Sequence, residues 1–410
     1  MTSSATPVRR ADIALLVIGL AGTALNLSGA LGTLAVTLMA FFEGDSEAAS
    51  LGTWASGSLL AMALAGLPAI VLGLCGVFGR PPDPPLRQAA AWLPAAVGLA
   101  FPLALLAGAW TLARPDLTLI AIPVHIATAV LPVALAVLLV QGTGSAITLR
   151  RLWSQFLTGL WGMPIIAIVL EVVTLLPVVA ITVVGLASSA DIRRMTEPLL
   201  QGTPSPGVSL DETVLRLVLH PWVLISLFGY VSGLVPLIEE AVKSLSVLPI
   251  ARRLSPSQAF VGGAVGGAGY ALFEALFLTQ PDPSWLTTMI GRGGASLMHA
   301  FTAAITCWGI SQVATGRRRW GRLALAYLVA VGMHATWNAA AIGLGIVQVN
   351  MEIGSLELPG GLETLIVRGA PILLSALSLT ALVGLPLGAM RLRRAEIERS
   401  RSTADEPLPG

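Results

Sequence analysis

Residues 159–187 read GLWGMPIIAIVLEVVTLLPVVAITVVGLA, with Glu171 as their one charged side chain. About 20 helical residues cross a hydrocarbon core, so this run is long enough to span a bilayer. A spanning strand would instead show a short segment of alternating polarity, and no such alternation occurs. Nine further apolar runs lie near 13–42, 56–78, 89–112, 117–140, 229–251, 257–278, 294–314, 323–347 and 365–390. The composition agrees: of 410 residues, 55% are hydrophobic and 11% charged, and the mean hydropathy is +0.82. Soluble domains carry roughly 25% charged residues, so too few are present to clothe a water-facing surface. A soluble enzyme and a disordered chain are excluded, and a net charge of +2 is too small for a nucleic-acid binder. The expected fold is an all-α, polytopic transmembrane helical bundle of about ten spans, a multi-pass protein of the cell membrane.

The basic residues orient it. The tail before 13, the loops 79–88, 141–158, 243–256 and 315–322, and the tail after 390 hold 18 of the 24 Lys and Arg. The other side holds Arg114, Arg193, Arg194, Arg216, Arg292 and Arg368. This bias puts both termini in the cytoplasm, in keeping with an even number of spans. The first run is too long for a signal-peptide core and reads as an uncleaved anchor. Cys75 and Cys307 lie inside apolar runs and offer no disulfide framework.

Four regions follow: a five-span module at 1–187, an extracytoplasmic loop at 188–228 with an interfacial helix from Asp211, a four-helix core at 229–347, and a last span with a disordered cytoplasmic tail at 348–410. One straight helix from 213 to 251 would be ~58 Å long, so a break is expected near Gly229 or Gly233. His125 and His220 fall near the outer boundary and read as interfacial.

Ionisable groups inside spans cost about 2.5–3.5 kcal/mol each on insertion scales, which makes each a candidate for function. They are Glu171, Glu239, Glu240, Lys243, Glu274, His299 and His334, with Asn338 as a polar companion. Lys243 is the sole lysine beside 23 arginines. Measured from the nearest cytoplasmic anchors, Glu239, Glu274, His299, His334 and Asn338 lie ~18 to ~27 Å deep at 1.5 Å per residue, on one level. Glu239 and Lys243 are four apart with the acid first, the better order for a helical ion pair. Glu240 and Lys243, and His334 and Asn338, also share helix faces. A carboxylate beside an imidazole can activate water, and an imidazole or amide can donate to an oxyanion. Glu171 has no such neighbours and reads as a helix–helix contact.

In order, Glu239-Glu240-Ala241-Val242-Lys243, Phe273-Glu274, Arg292 with His299-Ala300 and Thr302, and His334-Ala335-Thr336-Trp337-Asn338 form four motifs on four consecutive spans. At these residues the sequence resembles the PrsW family of intramembrane proteases, within the larger group of CAAX-type endopeptidases and bacteriocin-processing homologues. The resemblance covers about 229–347. Where the family's second motif places Tyr, four residues after the Glu, this chain has Leu278; Tyr270 lies one turn before Glu274 instead. The resemblance implies that Glu239 and Glu240 with His299 hold and deprotonate the attacking water, that His334 and Asn338 stabilise the oxyanion, that Glu274 orients or shares protons, and that Lys243 supports them. Carboxylate and imidazole ligands suit zinc, yet the HExxH signature is absent, so both a glutamate-based and a metal-dependent reaction stay open. The implied partners are a membrane-anchored protein or peptide substrate and the lipid bilayer. A non-catalytic scaffold of the same fold is the alternative, and a proton-coupled transporter a third reading, against which the lack of an internal repeat weighs.

The orientation yields a first prediction. A reporter that folds only in the cytoplasm should be active when fused after the last span, and one that folds only outside the cytoplasm should be active when inserted between 188 and 228. The opposite pattern would invert the assigned topology.

Overall fold

The computed structural model describes residues 6–78, 89–114, 117–143, 147–189, 220–316, 319–353 and 361–404. These residues are helical, and no β-strand occurs among them. In chain order the helices are α1 (Thr6–Glu43), α2 (Ser46–Ala65), α3 (Leu67–Val77), α4 (Leu93–Leu112), α5 (Thr118–Gln141), α6 (Leu149–Leu157), α7 (Met163–Ser188), α8 (Pro221–Gly229), α9 (Val235–Lys243), α10 (Pro256–Phe277), α11 (Trp285–Ala314), α12 (Trp320–Ile353) and α13 (Leu362–Ala404). Two π-helical segments, Thr158–Gly162 and Tyr230–Leu234, join α6 to α7 and α8 to α9. Nine helical runs among the described residues are long and apolar enough to cross a membrane. The protein is therefore a multi-pass membrane protein with an all-α fold. The tenth expected span, 294–314, lies within α11 but is absent from those nine. Its His299 and Gln312 lower its hydropathy, and it tolerates them because much of its length is buried in protein.

The chain divides into two compact units. The first comprises Met1–Pro164, Lys243–Ala330 and Ser378–Gly410. At its centre is α10, whose sequence PSQAFVGGAVGGAGYALFEALF is buried almost throughout. Glycine puts it there. A Cβ at Gly263 or Gly267 would collide with the α11 backbone at Ala303 and His299, and one at Gly266 with Ser246. On another face Gly159 approaches the carbonyl of Gly266, and Gly269 that of Phe156. Small residues let helix backbones come this close, which favours association where lipid removes the hydrophobic drive. α10 starts on a capping box between Ser255 and Gln258, with Pro256 in the first turn. Glu396 of α13 accepts from the backbone N–H of Ser257 (2.8 Å) and from its hydroxyl (2.6 Å), placing a carboxylate where the helix dipole favours one. Elsewhere in this unit Arg150 pairs with the buried Asp12 at 2.9 Å.

The second unit comprises Ile165–Val242 and Val331–Leu377. Its α7 portion exposes Ile165, Ile168, Val169, Val172, Leu176 and Val183, as befits a helix facing lipid. Tyr230 donates to the backbone carbonyl of Glu171 at 2.6 Å, so the helix–helix contact expected at Glu171 runs through its main chain. The π segment at Tyr230–Leu234 coincides with the break expected near Gly229 or Gly233.

Three expectations need correcting. The run 229–251 is not α-helical to its end: α9 stops at Lys243 and 3-10 turns follow to Arg253, because Pro249 lacks the N–H and crowds the preceding turn. The tail expected to be disordered from 391 continues α13 to Ala404, supported by the Glu396 contacts and an Arg393–Glu396 pair at 3.8 Å. His125, read as interfacial, does not face solvent: it is 1% exposed and enclosed by Trp54 and Trp285. The interfacial helix expected from Asp211 lies outside the described residues, and His220 caps the N-terminus of α8 by accepting from the Trp222 N–H.

The packing of α10 makes a second prediction. Gly267→Ala forces a methyl group into the α11 backbone and should destabilise the protein by about 1–3 kcal/mol, as overpacking does. Gly321→Ala meets nothing within 4 Å and should be neutral or stabilising by up to about 1 kcal/mol. Thermal unfolding in detergent, followed by size-exclusion retention, distinguishes the two.

Candidate active site

The polar groups singled out in the sequence form one cluster in each unit, and α9 carries residues of both. Its Val-Pro-Leu-Ile-Glu-Glu-Ala-Val-Lys sequence puts Glu239 and Glu240 in the second unit and Lys243, one turn later, in the first.

In the first unit Glu274 stands in the last turn of α10. One oxygen, Oε2, accepts from Arg292 Nη1 at 3.0 Å and lies 3.0 Å from His299 Nε2. Arg292 and His299 are seven residues apart on α11, two turns along nearly one face, so a single carboxylate can meet both. The other imidazole nitrogen of His299, Nδ1, lies 2.6 Å from Lys243 Nζ. An ammonium can only donate, so Nδ1 accepts and Nε2 carries the hydrogen that Glu274 receives. Tyr270, one turn before Glu274, sits with its ring 4.9 Å from Lys243 Nζ and 5.7 Å from the His299 ring, within cation–π range of the ammonium. Lys243, Tyr270 and His299 are all buried. The chain Lys243–His299–Glu274–Arg292 thus compensates two cations with an imidazole and a carboxylate in a region poor in water.

In the second unit His334 of α12 meets both glutamates of α9. Its Nδ1 lies 2.9 Å from Glu240 Oε1, and its Nε2 lies 3.8 Å from Glu239 Oε2. All three side chains are buried, Glu240 and His334 almost completely. The shorter bond to Glu240 fixes the ring and, with Nδ1–H donating, turns the Nε2 lone pair toward Glu239. Asn338, one turn after His334, donates from Nδ2 to the Val231 carbonyl at 2.9 Å. Val231 belongs to the π segment, whose i→i+5 pairing displaces carbonyls from the regular helix ladder, and the amide takes up one of them.

The structure therefore brings Lys243, Glu274 and His299 together in one unit and Glu239, Glu240, His334 and Asn338 together in the other. Sequence reasoning gave no role to two participants. Arg292 was quoted with His299 in the third motif and otherwise counted among the outer-loop cations, although its two-turn spacing from His299 was a usable signal. Tyr270 was noted only as a displaced tyrosine. Leu278, at the position where a tyrosine was expected, is exposed.

Residues 208–356 match the model of the PrsW family intramembrane metalloproteases. Over this segment the chain is similar to that family. No curated protein and no solved structure matches the chain. The PrsW segment contains all four motifs and both clusters, apart from the preceding spans 1–187, which the family model leaves out. The matched family is described as one of intramembrane metalloproteases, which makes the donor atoms of the segment relevant.

Within the second unit two potential donors lie close to the separation of ligands that share one divalent ion. Ligand distances of about 2.0–2.2 Å at a tetrahedral angle separate two donor atoms by roughly 3.4 Å. His334 Nε2 and Glu239 Oε2, at 3.8 Å, need close only slightly. Glu240 on the opposite ring nitrogen supplies the carboxylate that usually orients a metal-binding histidine.

The Lys243–His299 bond yields a third prediction. His299→Ala removes a partner from a buried ammonium and should destabilise by about 1–3 kcal/mol. Lys243→Met removes the charge itself, so the double variant should be more stable than the sum of the two single losses. Melting temperatures of the four proteins close this cycle; additive shifts would contradict the bond.

Proposed function

We propose that the protein is an intramembrane endopeptidase that hydrolyses a peptide bond of a membrane-anchored protein or peptide. The observation that carries this reading is the pairing of His334 with two glutamates of one helix, 2.9 Å from Glu240 and 3.8 Å from Glu239, in a segment that matches intramembrane metalloproteases.

The geometry supports a division of labour somewhat different from the one the resemblance implies. Glu240 orients His334 and sets its tautomer. Glu239 and His334 Nε2 face each other across the space where a water or an ion would be held, and Glu239 takes the proton as the water attacks. A carboxylate and an imidazole are donors suited to zinc. A bound divalent ion would make its water more acidic and polarise the scissile carbonyl. Glu274, held by Arg292, keeps the His299 ring in place and accepts its Nε2 hydrogen. Asn338 has two amide hydrogens; one goes to Val231, and the other is assigned to the developing oxyanion. The buried setting strengthens each of these electrostatic interactions relative to water.

Hydrolysis inside a membrane also selects the substrate. The reacting groups lie on spans, so the scissile bond must reach them from a segment that is itself in or against the bilayer. A membrane-anchored chain meets that condition, and a soluble polypeptide does not. The bias of basic residues supports cytoplasmic termini, and the depth of Glu239 and His334 along their spans then favours a cut between the middle and the outer half of the membrane.

The test uses the full chain in liposomes with a library of transmembrane peptides, read by mass spectrometry. Glu239→Gln should lower turnover by about 10²–10⁴-fold, the contribution of a positioned base, and His334→Ala should do at least as much. Asn338→Ala should cost about 10²–10³-fold, as loss of an oxyanion donor does. Metal analysis of the same preparations should show less bound divalent metal in His334→Ala than in wild type. Equal turnover by all four proteins would sink the proposal.

A further inference from the structure

The spans before the matched segment make hydrogen bonds that have no need of lipid-facing helices alone. They converge on the ends of α10 and α11 nearest Glu274 and Arg292. Trp54 of α2 donates from Nε1 to the Thr279 carbonyl at 3.1 Å, and Ser58, one turn on, donates to the Leu276 carbonyl at 3.1 Å. Leu276 lies in the last turn of α10, whose carbonyls have no partner within the helix, and is two residues beyond Glu274. Trp285, in the first turn of α11, donates from Nε1 to His125 Nδ1 of α5 at 3.3 Å. The His125 ring in turn stacks on Trp54, with centroids 4.4 Å apart.

Shape reinforces these bonds. The Trp285 indole fills the space that a Cβ on Gly108 of α4 would occupy, and Phe101 of α4 lies against Gly293, the neighbour of Arg292. Trp54, Ser58, His125, Trp285 and Thr279 are each 5% exposed or less. Trp285, Arg292 and His299 follow one another at intervals of seven residues, which drift by only about 20° per step around a helix. Fixing the direction of Trp285 therefore fixes the face on which Arg292 and His299 stand. Fixing the carbonyl of Leu276 likewise sets the last turn of α10, from which Glu274 projects.

We propose that Trp54, Ser58 and His125 are positioning residues that hold the Glu274–Arg292–His299 group in register, and that this is a task of the spans preceding the PrsW segment. They touch none of the reacting atoms. They act through the helix ends, so their loss should misalign the carboxylate without emptying the core. The kinetic part of this inference rests on the protease reading; the stability part does not.

The experiment uses the full chain with Trp54→Phe, Ser58→Ala, His125→Phe and His125→Gln. Trp54→Phe keeps the ring and removes the donor, and His125→Gln keeps an acceptor that His125→Phe lacks. In liposomes, Trp54→Phe and His125→Phe should each lower kcat on a transmembrane peptide by about tenfold or more, since small misplacements of reacting groups are costly. KM should change little, and His125→Gln should restore most of the rate. Melting temperatures supply the second arm, in a cycle of Trp54→Phe with Glu274→Gln. Separate sites give additive shifts, whereas a positioning contact makes the second substitution cost less once the first is made. Additive shifts would overturn the proposal whatever the kinetics, as would an unchanged kcat in a protein that cleaves. A His125→Gln variant as slow as His125→Phe would remove His125 from the set. Should wild type cleave no peptide at all, the protease reading fails and the melting cycle alone decides the positioning.

Discussion

A buried charge must be met by an opposite charge or a hydrogen bond, because leaving it unmet in a medium of low dielectric costs several kcal/mol. In this protein that constraint acts on a short roster. Lys243 lies against an imidazole and an aromatic face, Arg292 against Glu274, and Glu240 against His334. Each contact ties a different pair of helices, so the polar groups act both as chemistry and as fasteners. A soluble enzyme could have dispersed them among waters. Here each has a small set of possible neighbours, and the helices must be placed to supply them.

Close backbone packing is what makes that placement possible. α10 carries glycine on the faces that meet α11 and the π segment Thr158–Gly162, so Glu274 arrives within 3.0 Å of two cationic or imidazole partners on α11. Leucine at those positions would hold the helices several ångströms apart, and no side chain as short as glutamate would bridge the gap. The most buried helix is thus also among the least hydrophobic of the spans, an inversion of the soluble-protein pattern. Large aliphatic side chains are instead displayed outward, as on α7.

Much of this was legible in the sequence, because composition and run length suffice for a helical membrane fold, and because charges are rare enough to stand out. The break near Gly229 could be anticipated from length alone, since no single straight helix fits the bilayer. Other features were hidden. Helix 391–404 looked like a charged tail, and only the distant Ser257 shows what Glu396 is for. His125 looked interfacial because hydropathy reads one chain at a time and cannot see Trp54 and Trp285 closing over it. The roles of the individual nitrogens of His299 and His334 depend on which partner takes which side of the ring, and spacing along a helix carries no such information.

The central claim is that water, activated between Glu239 and His334, cleaves a membrane-embedded peptide bond. A single-turnover reaction in ¹⁸O-labelled water, with the purified full chain and one transmembrane peptide in liposomes, tests it most directly by mass spectrometry of the products. The account predicts one ¹⁸O atom in the new C-terminal carboxylate, no covalent peptide adduct on the protein, and no labelled product with Glu239→Gln. A trapped acyl-enzyme, or the same labelled product from Glu239→Gln at the wild-type rate, would contradict it.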